Sequence, residues 1–342
     1  MVSVKLGELA NTVRSKNENQ LVVRRFASSI LLAPLVASAA LAQGYPAEPV
    51  RIVVAFAVGG TADAIARIHG QKLSESLRQQ FVVDNRPGAG GTIGTEVVTK
   101  AAPDGYTLKL GSTSDLAVSP NLYPNLSYDV TRDLIPVAQL ATAPFMLAIN
   151  ASLPAKNMQE LIALAKAKPG AINFASSGNG SSLHLLAEYL KYGAKIDLVH
   201  VPYKGVGAAL PDLVAGRVQL LFSDMGPFVP FVREGKLRVL AVSTAKRSKL
   251  YPEYPTIAES GLPGYDLAGW YGIVAPAGTP RAVVQRLHAE FTKAMRAQDV
   301  IERYNTMGVE PVDSTPEQFG AYIRAELGKW GDIIKRSGTK LE

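Results

Sequence analysis

Apolar residues along the chain fall into short β-branched runs that stop at glycine-rich turns, and each turn is followed by helical spacing. Val50-Arg51-Ile52-Val53-Val54-Ala55-Phe56 breaks at Gly59-Gly60, after which Ala64, Ile65, Ile68, Leu73 and Leu77 recur as the inward stripe of one helix. The unit repeats. Phe81-Val82-Val83 leads to Gly88-Ala89-Gly90-Gly91 and a helix through Glu96, and Tyr106-Thr107-Leu108-Lys109-Leu110 leads to Gly111-Ser112-Thr113-Ser114. Strands alternating with helices predict a largely parallel α/β sheet.

A second series follows Leu147-Ala148-Ile149. Asn157 is the expected N-cap of a helix with Glu160 in the capping-box position, Leu161 and Leu164 facing the core, and Lys168-Pro169-Gly170 as its stop. Ile172-Asn173-Phe174-Ala175 then runs into the loop Ser176-Ser177-Gly178-Asn179-Gly180-Ser181-Ser182, which opens a helix through Tyr192. Leu198-Val199-His200-Val201 precedes the turn Lys204-Gly205-Val206-Gly207, and Val218-Gln219-Leu220-Leu221-Phe222 is another buried strand. The chain then returns through Gly269-Trp270-Tyr271-Gly272-Ile273-Val274-Ala275-Pro276, with Thr279 as N-cap and Pro280 at the first helical position of the next helix. Thr315-Pro316 opens the last helix in the same way. The pattern predicts two α/β lobes: 43–144 with 273–342, and 145–272. Two strands near 140–148 and 268–275 join them as a hinge.

Composition narrows the chemistry. The 342 residues are 47% apolar and 19% charged, which excludes a disordered chain and suits two domains. The absence of cysteine excludes a disulfide scaffold, a thiolate nucleophile and a Cys-ligated zinc or iron–sulfur site. A mean hydropathy of +0.09 is slightly high for a soluble protein, and one segment carries the excess. Arg24-Arg25 is followed by the apolar run Phe26 to Leu41 and by Ala40-x-Ala42, the pattern of a cleaved secretory signal peptide over 1–42. That run is interrupted by Pro34 and short for a membrane span. Removing its five basic and two acidic residues takes the net charge from +7 to +4. The basic excess is diffuse, so no nucleic-acid partner is expected. An exported, cysteine-free chain is expected in the periplasm, where nucleotide-dependent enzymes lack their cofactors.

Four glycine-rich turns sit after strands and before helices, where open α/β sheets bind ligands. Free N–H groups and the helix dipole favour an anion there. Each turn also has a structural reading, since Gly59-Gly60 and Gly88-Ala89-Gly90-Gly91 can serve positive φ or close packing alone. No Gly-Lys-Ser/Thr follows either turn, and Ile93 occupies the third glycine position of a G-x-G-x-x-G pattern, so nucleotide binding is not indicated. Asp63 can cap its helix or touch a ligand, Lys204 can neutralise a carboxylate or sit in solvent, and His184 can serve a local hydrogen bond. Asp224 stands at a strand end, and Trp270-Tyr271 can wall a cleft or fill a core. The four histidines form no H-E-x-x-H, and no G-x-S-x-G elbow occurs, so neither a metal site nor an enzyme is expected.

Several motifs in order resemble the Bug-type receptors of tripartite tricarboxylate transporters. They are Val50 to Asp63, Asn85-Arg86-Pro87-Gly88-Ala89-Gly90-Gly91, Pro103-Asp104-Gly105-Tyr106-Thr107-Leu108, His200-Val201-Pro202-Tyr203-Lys204-Gly205 and Ala275-Pro276-Ala277-Gly278-Thr279-Pro280. The resemblance runs from about Tyr45 to the C-terminus. It implies a type II periplasmic-binding-protein fold, two lobes closing on a small organic carboxylate without a cofactor, and delivery to membrane permease subunits by a monomeric receptor. By position it implies ligand contacts from Phe56, Gly59, Gly60, Thr61, Asp63, Ala89, Gly90 and Gly91, and from Ser177, Gly178, Ser181, Tyr203, Lys204 and Asp224 in the second lobe. Family members usually carry prolines around the first-loop Phe, where Ala55, Ala57 and Val58 stand here. Gly90→Asp is expected to abolish binding by occupying anion-binding amides. Other readings are a receptor of the same fold acting on a signalling partner, and a periplasmic hydrolase, which lacks any nucleophile motif.

Overall fold

The computed structural model describes residues 44–339; the expected signal peptide lies outside the described residues. The strands among the described residues are β1 (Val50–Val54), β2 (Phe81–Asn85), β3 (Thr107–Ser112), β4 (Leu134–Pro144), β5 (Met146–Asn150), β6 (Asn173–Ser176), β7 (Val199–Pro202), β8 (Leu220–Ser223), β9 (Leu237–Val242), β10 (Ala268–Pro276) and β11 (Glu310–Pro311). They form two sheets, ordered β11-β4-β10-β3-β1-β2 and β7-β6-β8-β5-β9. Each is built on three parallel strands: β1 pairs parallel with β2 and β3, and β6 with β7 and β8.

The expected largely parallel sheets are mixed. β10 lies antiparallel to both β3 and β4, and β5 antiparallel to both β8 and β9. Parallel pairing holds where a helix carries the chain back over the sheet, whereas the strands next to the crossings enter from the other sheet in the reverse sense. The crossings lie side by side. Only Phe145 separates β4 from β5, and Ser243 follows β9; Ser243 N–H donates to Phe145 O at 2.9 Å and Phe145 N–H donates to Ser243 Oγ at 3.0 Å. All of β10 belongs to the first sheet, so the return is complete by Ala268, ahead of the expected boundary at Ile273. In pattern terms Ala268 to Gly272 was indistinguishable from either sheet, because the strand is buried throughout most of its length.

Strands covered on both faces need continuous apolar runs, and Val50, Ile52, Val53 and Val54 are fully buried. The helix Thr61–Leu77 turns Ile65, Ile68 and Leu73 inward as its period requires. Asn157 caps the helix Met158–Ala167 by accepting from Glu160 N–H at 2.8 Å, and Thr315 forms a full capping box with Gln318 at the start of Pro316–Ser337. Thr279 does not cap its helix. Its hydroxyl donates back to Pro276 O at 2.7 Å, so Pro280 becomes the N-cap and the helix begins at Arg281. The C-terminal helix docks through Glu326, whose Oε2 accepts from both Trp330 Nε1 and Trp270 Nε1, at 3.1 and 3.2 Å.

Candidate functional site

The ends of β1, β3, β6 and β8 and the turns beyond them meet where the two sheets face each other, lining a cavity of about 50 Å³. Three helices begin at its wall. Thr61 and Ala62 start Thr61–Leu77, Ser182 and Leu183 start Ser182–Ala194, and Val206 starts Val206–Val214. First-turn N–H groups have no partner within their own helix, and the aligned peptide dipoles leave this end positive. Hydroxyls of Ser112, Thr113, Ser114, Ser177 and Ser223 add neutral polar groups, while Phe56, Phe145 and Trp270 supply apolar surface. Among the described residues lining the cavity there is no Lys, Arg or His.

The single charged residue there is Asp224, just beyond β8 and 3% exposed. Tyr271 OH donates to its Oδ2, and its Oδ1 has no protein partner. Burial pushes the Asp224 carboxyl up to about 6, with the Tyr271 and Thr61 hydroxyls restraining the rise. Burial and the neighbouring Asp224 carboxylate hold the Tyr271 phenol well above its ordinary value.

Behind the cavity, the turn Ser112 to Ser114 is pinned from below. Asp115 Oδ1 accepts from Ser112 N–H at 2.8 Å and from the Ser112 hydroxyl, and Asp115 Oδ2 pairs with Lys109 Nζ. Thr113 Oγ1 accepts from Trp270 N–H at 3.0 Å, which ties this turn to the returning strand.

The two sheets' loops also bond directly to each other. Ala57 N–H donates to Lys204 O at 2.9 Å, Ser182 N–H donates to Ser114 Oγ at 2.9 Å, and the Ser114 and Ser182 hydroxyls lie 2.7 Å apart. Ser119 Oγ lies within hydrogen-bond reach of both Gly90 O and Gly180 O, and Tyr123 OH donates to Asn179 O at 2.8 Å. The arrangement is closed.

Of the residues expected at a ligand, Phe56, Gly60, Thr61, Ser177 and Asp224 line the cavity. The others stand outside its wall. Asp63 is buried and shapes the first loop: it accepts from Gly59 N–H at 3.2 Å, from Asn85 Nδ2 at 3.1 Å and from Arg67 Nε at 3.0 Å. Gly59 is thus held by the helix it precedes. A Cβ on Gly90 would lie 2.6 Å from Asn179 O, and Gly178 faces Gly90 from the other sheet, so these two serve the approach of the loops. Gly91 lets the Phe56 ring and Asp115 pack against it, and Ala89 beside it takes a positive φ of 47°. Ser181 caps Ser182–Ala194 by accepting from His184 N–H at 3.3 Å. Tyr203 OH donates to Asp212 at 2.7 Å, and burial with that carboxylate pushes the phenol up to about 12. The Lys204 side chain is exposed; its contribution is the main-chain carbonyl that Ala57 bonds. His184 takes the local role, Nδ1 accepting from Gly180 N–H at 3.3 Å with the ring stacked 3.9 Å from His200.

The turn Ser112 to Ser114 and Ser182 line the cavity without having been singled out as ligand contacts in the sequence, and Trp270-Tyr271, which could wall a cleft or fill a core, line it as well. For Ser112 to Ser114 and Ser182 the signal was position, at a strand end and at a helix start, without the double glycine that draws attention; Tyr271 lies inside β10.

The family described as "Tripartite tricarboxylate transporter family receptor" matches residues 65–339. The chain belongs to this family. BugT of Bordetella pertussis is 38% identical over 90% of this chain and 94% of its own length. Among solved structures, an R. palustris protein with adipate is 35% identical with a TM-score of 0.83, covering 86% of this chain and 98% of that one. MatC from Rhodopseudomonas palustris with bound malate is 32% identical with a TM-score of 0.81, covering 85% and 100%. The family and these neighbours are solute-binding proteins rather than enzymes, and their common architecture is the two-lobe α/β binding-protein fold.

Proposed function

We propose that the chain is a periplasmic receptor that captures a small organic carboxylate in the cavity between its two sheets and delivers it to the permease subunits of a tripartite tricarboxylate transporter. The observation that carries this reading is the convergence of three helix N-termini on a cavity that has no cationic side chain among the described residues lining it. Each such terminus favours an anion by roughly 0.3–1 kcal/mol when exposed, and by up to ~2 kcal/mol when partly buried. A carboxylate is therefore held by backbone amides and hydroxyls rather than by an ion pair.

Contacts from the first sheet are assigned to Phe56, Gly60 and Thr61, and from the second to Ser177 and Asp224. Because both sheets build the wall, the full contact set exists only when the lobes meet, and the acid shifts the population toward the closed form. The adipate and malate of the similar R. palustris proteins support an acid of four to six carbons. Isothermal titration of the purified protein against C4–C9 mono-, di- and tricarboxylates tests this reading. One-to-one binding with a raised melting temperature is expected. Absence of binding and of any thermal shift across the panel overturns it.

A further inference from the structure

A cavity built to attract an anion carries one buried acid of its own. Asp224 is 3% exposed, Tyr271 occupies its Oδ2, and its Oδ1 has no protein partner. No basic side chain among the described residues lining the cavity neutralises it. The Thr61 hydroxyl stands at the same wall, near enough to restrain the rise of the Asp224 carboxyl, but makes no hydrogen bond that satisfies Oδ1. A carboxylate oxygen only accepts hydrogen bonds, and leaving a buried acceptor unmet costs free energy. A purely carboxylate ligand brings Asp224 a second acceptor and a second negative charge. A ligand that also carries an O–H or N–H supplies the missing donor.

We infer that Asp224 Oδ1 selects, within the carboxylate class, acids that bear a hydrogen-bond donor, a hydroxyl or an ammonium, over their donor-free parents. The inference rests on the carboxylate-receptor reading above and adds to it which acid is taken. The geometry makes Asp224 a specificity-determining residue: the helix N-termini hold the carboxylate common to all candidates, and the free oxygen of Asp224 discriminates among them. Rejection is strong in such a site because the wrong ligand leaves a buried group unpaired.

Titration calorimetry at pH 8 with two matched series tests the inference: succinate, malate and aspartate, then butyrate, 4-hydroxybutyrate and 4-aminobutyrate. In at least one series a donor-bearing member is expected to bind at least tenfold more tightly than its parent, and the hydroxyl and ammonium arms distinguish which donor is used. In Asp224→Asn, Tyr271 OH still finds an acceptor at the amide oxygen, which turns the amide N–H₂ toward the cavity, and the preference is expected to fall below twofold. Parents that bind as tightly as their donor-bearing partners in the wild-type protein overturn the inference while leaving the carboxylate reading standing. A preference unchanged in Asp224→Asn also overturns it. If no acid binds the wild-type protein, both the inference and the reading beneath it fail. The wild-type comparison decides the matter even if the variant does not fold.

Discussion

Lys109 and Asp115 form an ion pair with both side chains wholly buried, directly beneath the turn that lines the cavity. The pair joins the strand β3 to its own following turn, and Asp115 spends its other oxygen on Ser112. Removing one partner of such a pair leaves an uncompensated charge in the interior, at a cost of about 3–5 kcal/mol. Lys109→Met is expected to lose stability of that order in urea denaturation. It is also expected to weaken acid binding in calorimetry, because Ser112 to Ser114 lose their anchor.

Gly90 sits at a φ of +62°, and a Cβ there would lie 2.6 Å from Asn179 O and 2.9 Å from Ser119 Oγ. The reason to expect damage from substitution is therefore closure rather than competition for anion-binding amides, since Gly90 does not line the cavity. Gly90→Ala is expected to wedge the loops apart. Small-angle scattering with saturating acid should give a larger radius of gyration than the wild-type protein, and the dissociation constant should rise at least tenfold. An unchanged radius and affinity would show that the loops yield without cost.

Ser114 Oγ takes part in two bonds with Ser182, one of them to its main-chain N–H. Hydrogen bonds contribute about 0.5–1.5 kcal/mol each. Ser114→Ala removes both from the closed form alone and is expected to weaken acid binding by about tenfold, corresponding to about 1.4 kcal/mol, with a small effect on the melting temperature of the unliganded protein. Calorimetry and thermal melts of the two proteins side by side check it.

Three histidines make the fold acid-sensitive. Burial lowers His69 to about 3 and His184 to about 3, with the His200 and Lys191 charges adding to the effect at His184; burial and Lys191 lower His200 to about 4. The unfolded chain takes up these protons near pH 6.5, before the folded one does, so the stability these rings contribute is complete above that pH and is lost as pH falls toward 4 and 3. Asp224 acts in the opposite sense: its carboxyl near 6 holds a proton that the unfolded chain has released, and that contribution is lost as pH rises from about 4 to 6. Three protons against one give a net fall on acidification. Melting temperatures from pH 7 to pH 4 should drop, and His69→Phe should make the fall shallower.

Most of the fold was legible because its signals are local. Strand runs such as Val50 to Val54, the stripe Ile65, Ile68 and Leu73, and the caps Asn157 and Thr315 each follow from side-chain chemistry within one turn or strand. The antiparallel insertions were not, since β10 pairs with strands more than a hundred residues away. The candidate site divides the same way. Glycine turns announce the strand ends and so point to Phe56, Gly60, Thr61 and Ser177. They cannot say which side of a turn faces the cavity, and Gly90, Gly178 and Lys204 proved to face the opposite loop. Ser114 and Tyr271 enter through tertiary partners, Ser182 and Asp224, that no spacing rule connects to them.

The bond from Ala57 N–H to Lys204 O joins main chain to main chain between the loops of the two sheets, and a proline at position 57, which has no N–H, could not make it. A latch of this kind holds whether or not an acid is inside. It raises the share of empty receptors that are already shut, and the apparent affinity for an acid rises in proportion to the share of receptors in the competent state. For the proposed hand-over to a permease, it means that a loaded receptor must be told from an empty one of nearly the same shape. A residue with an N–H at position 57 thus bears on the proposed hand-over as well as on capture.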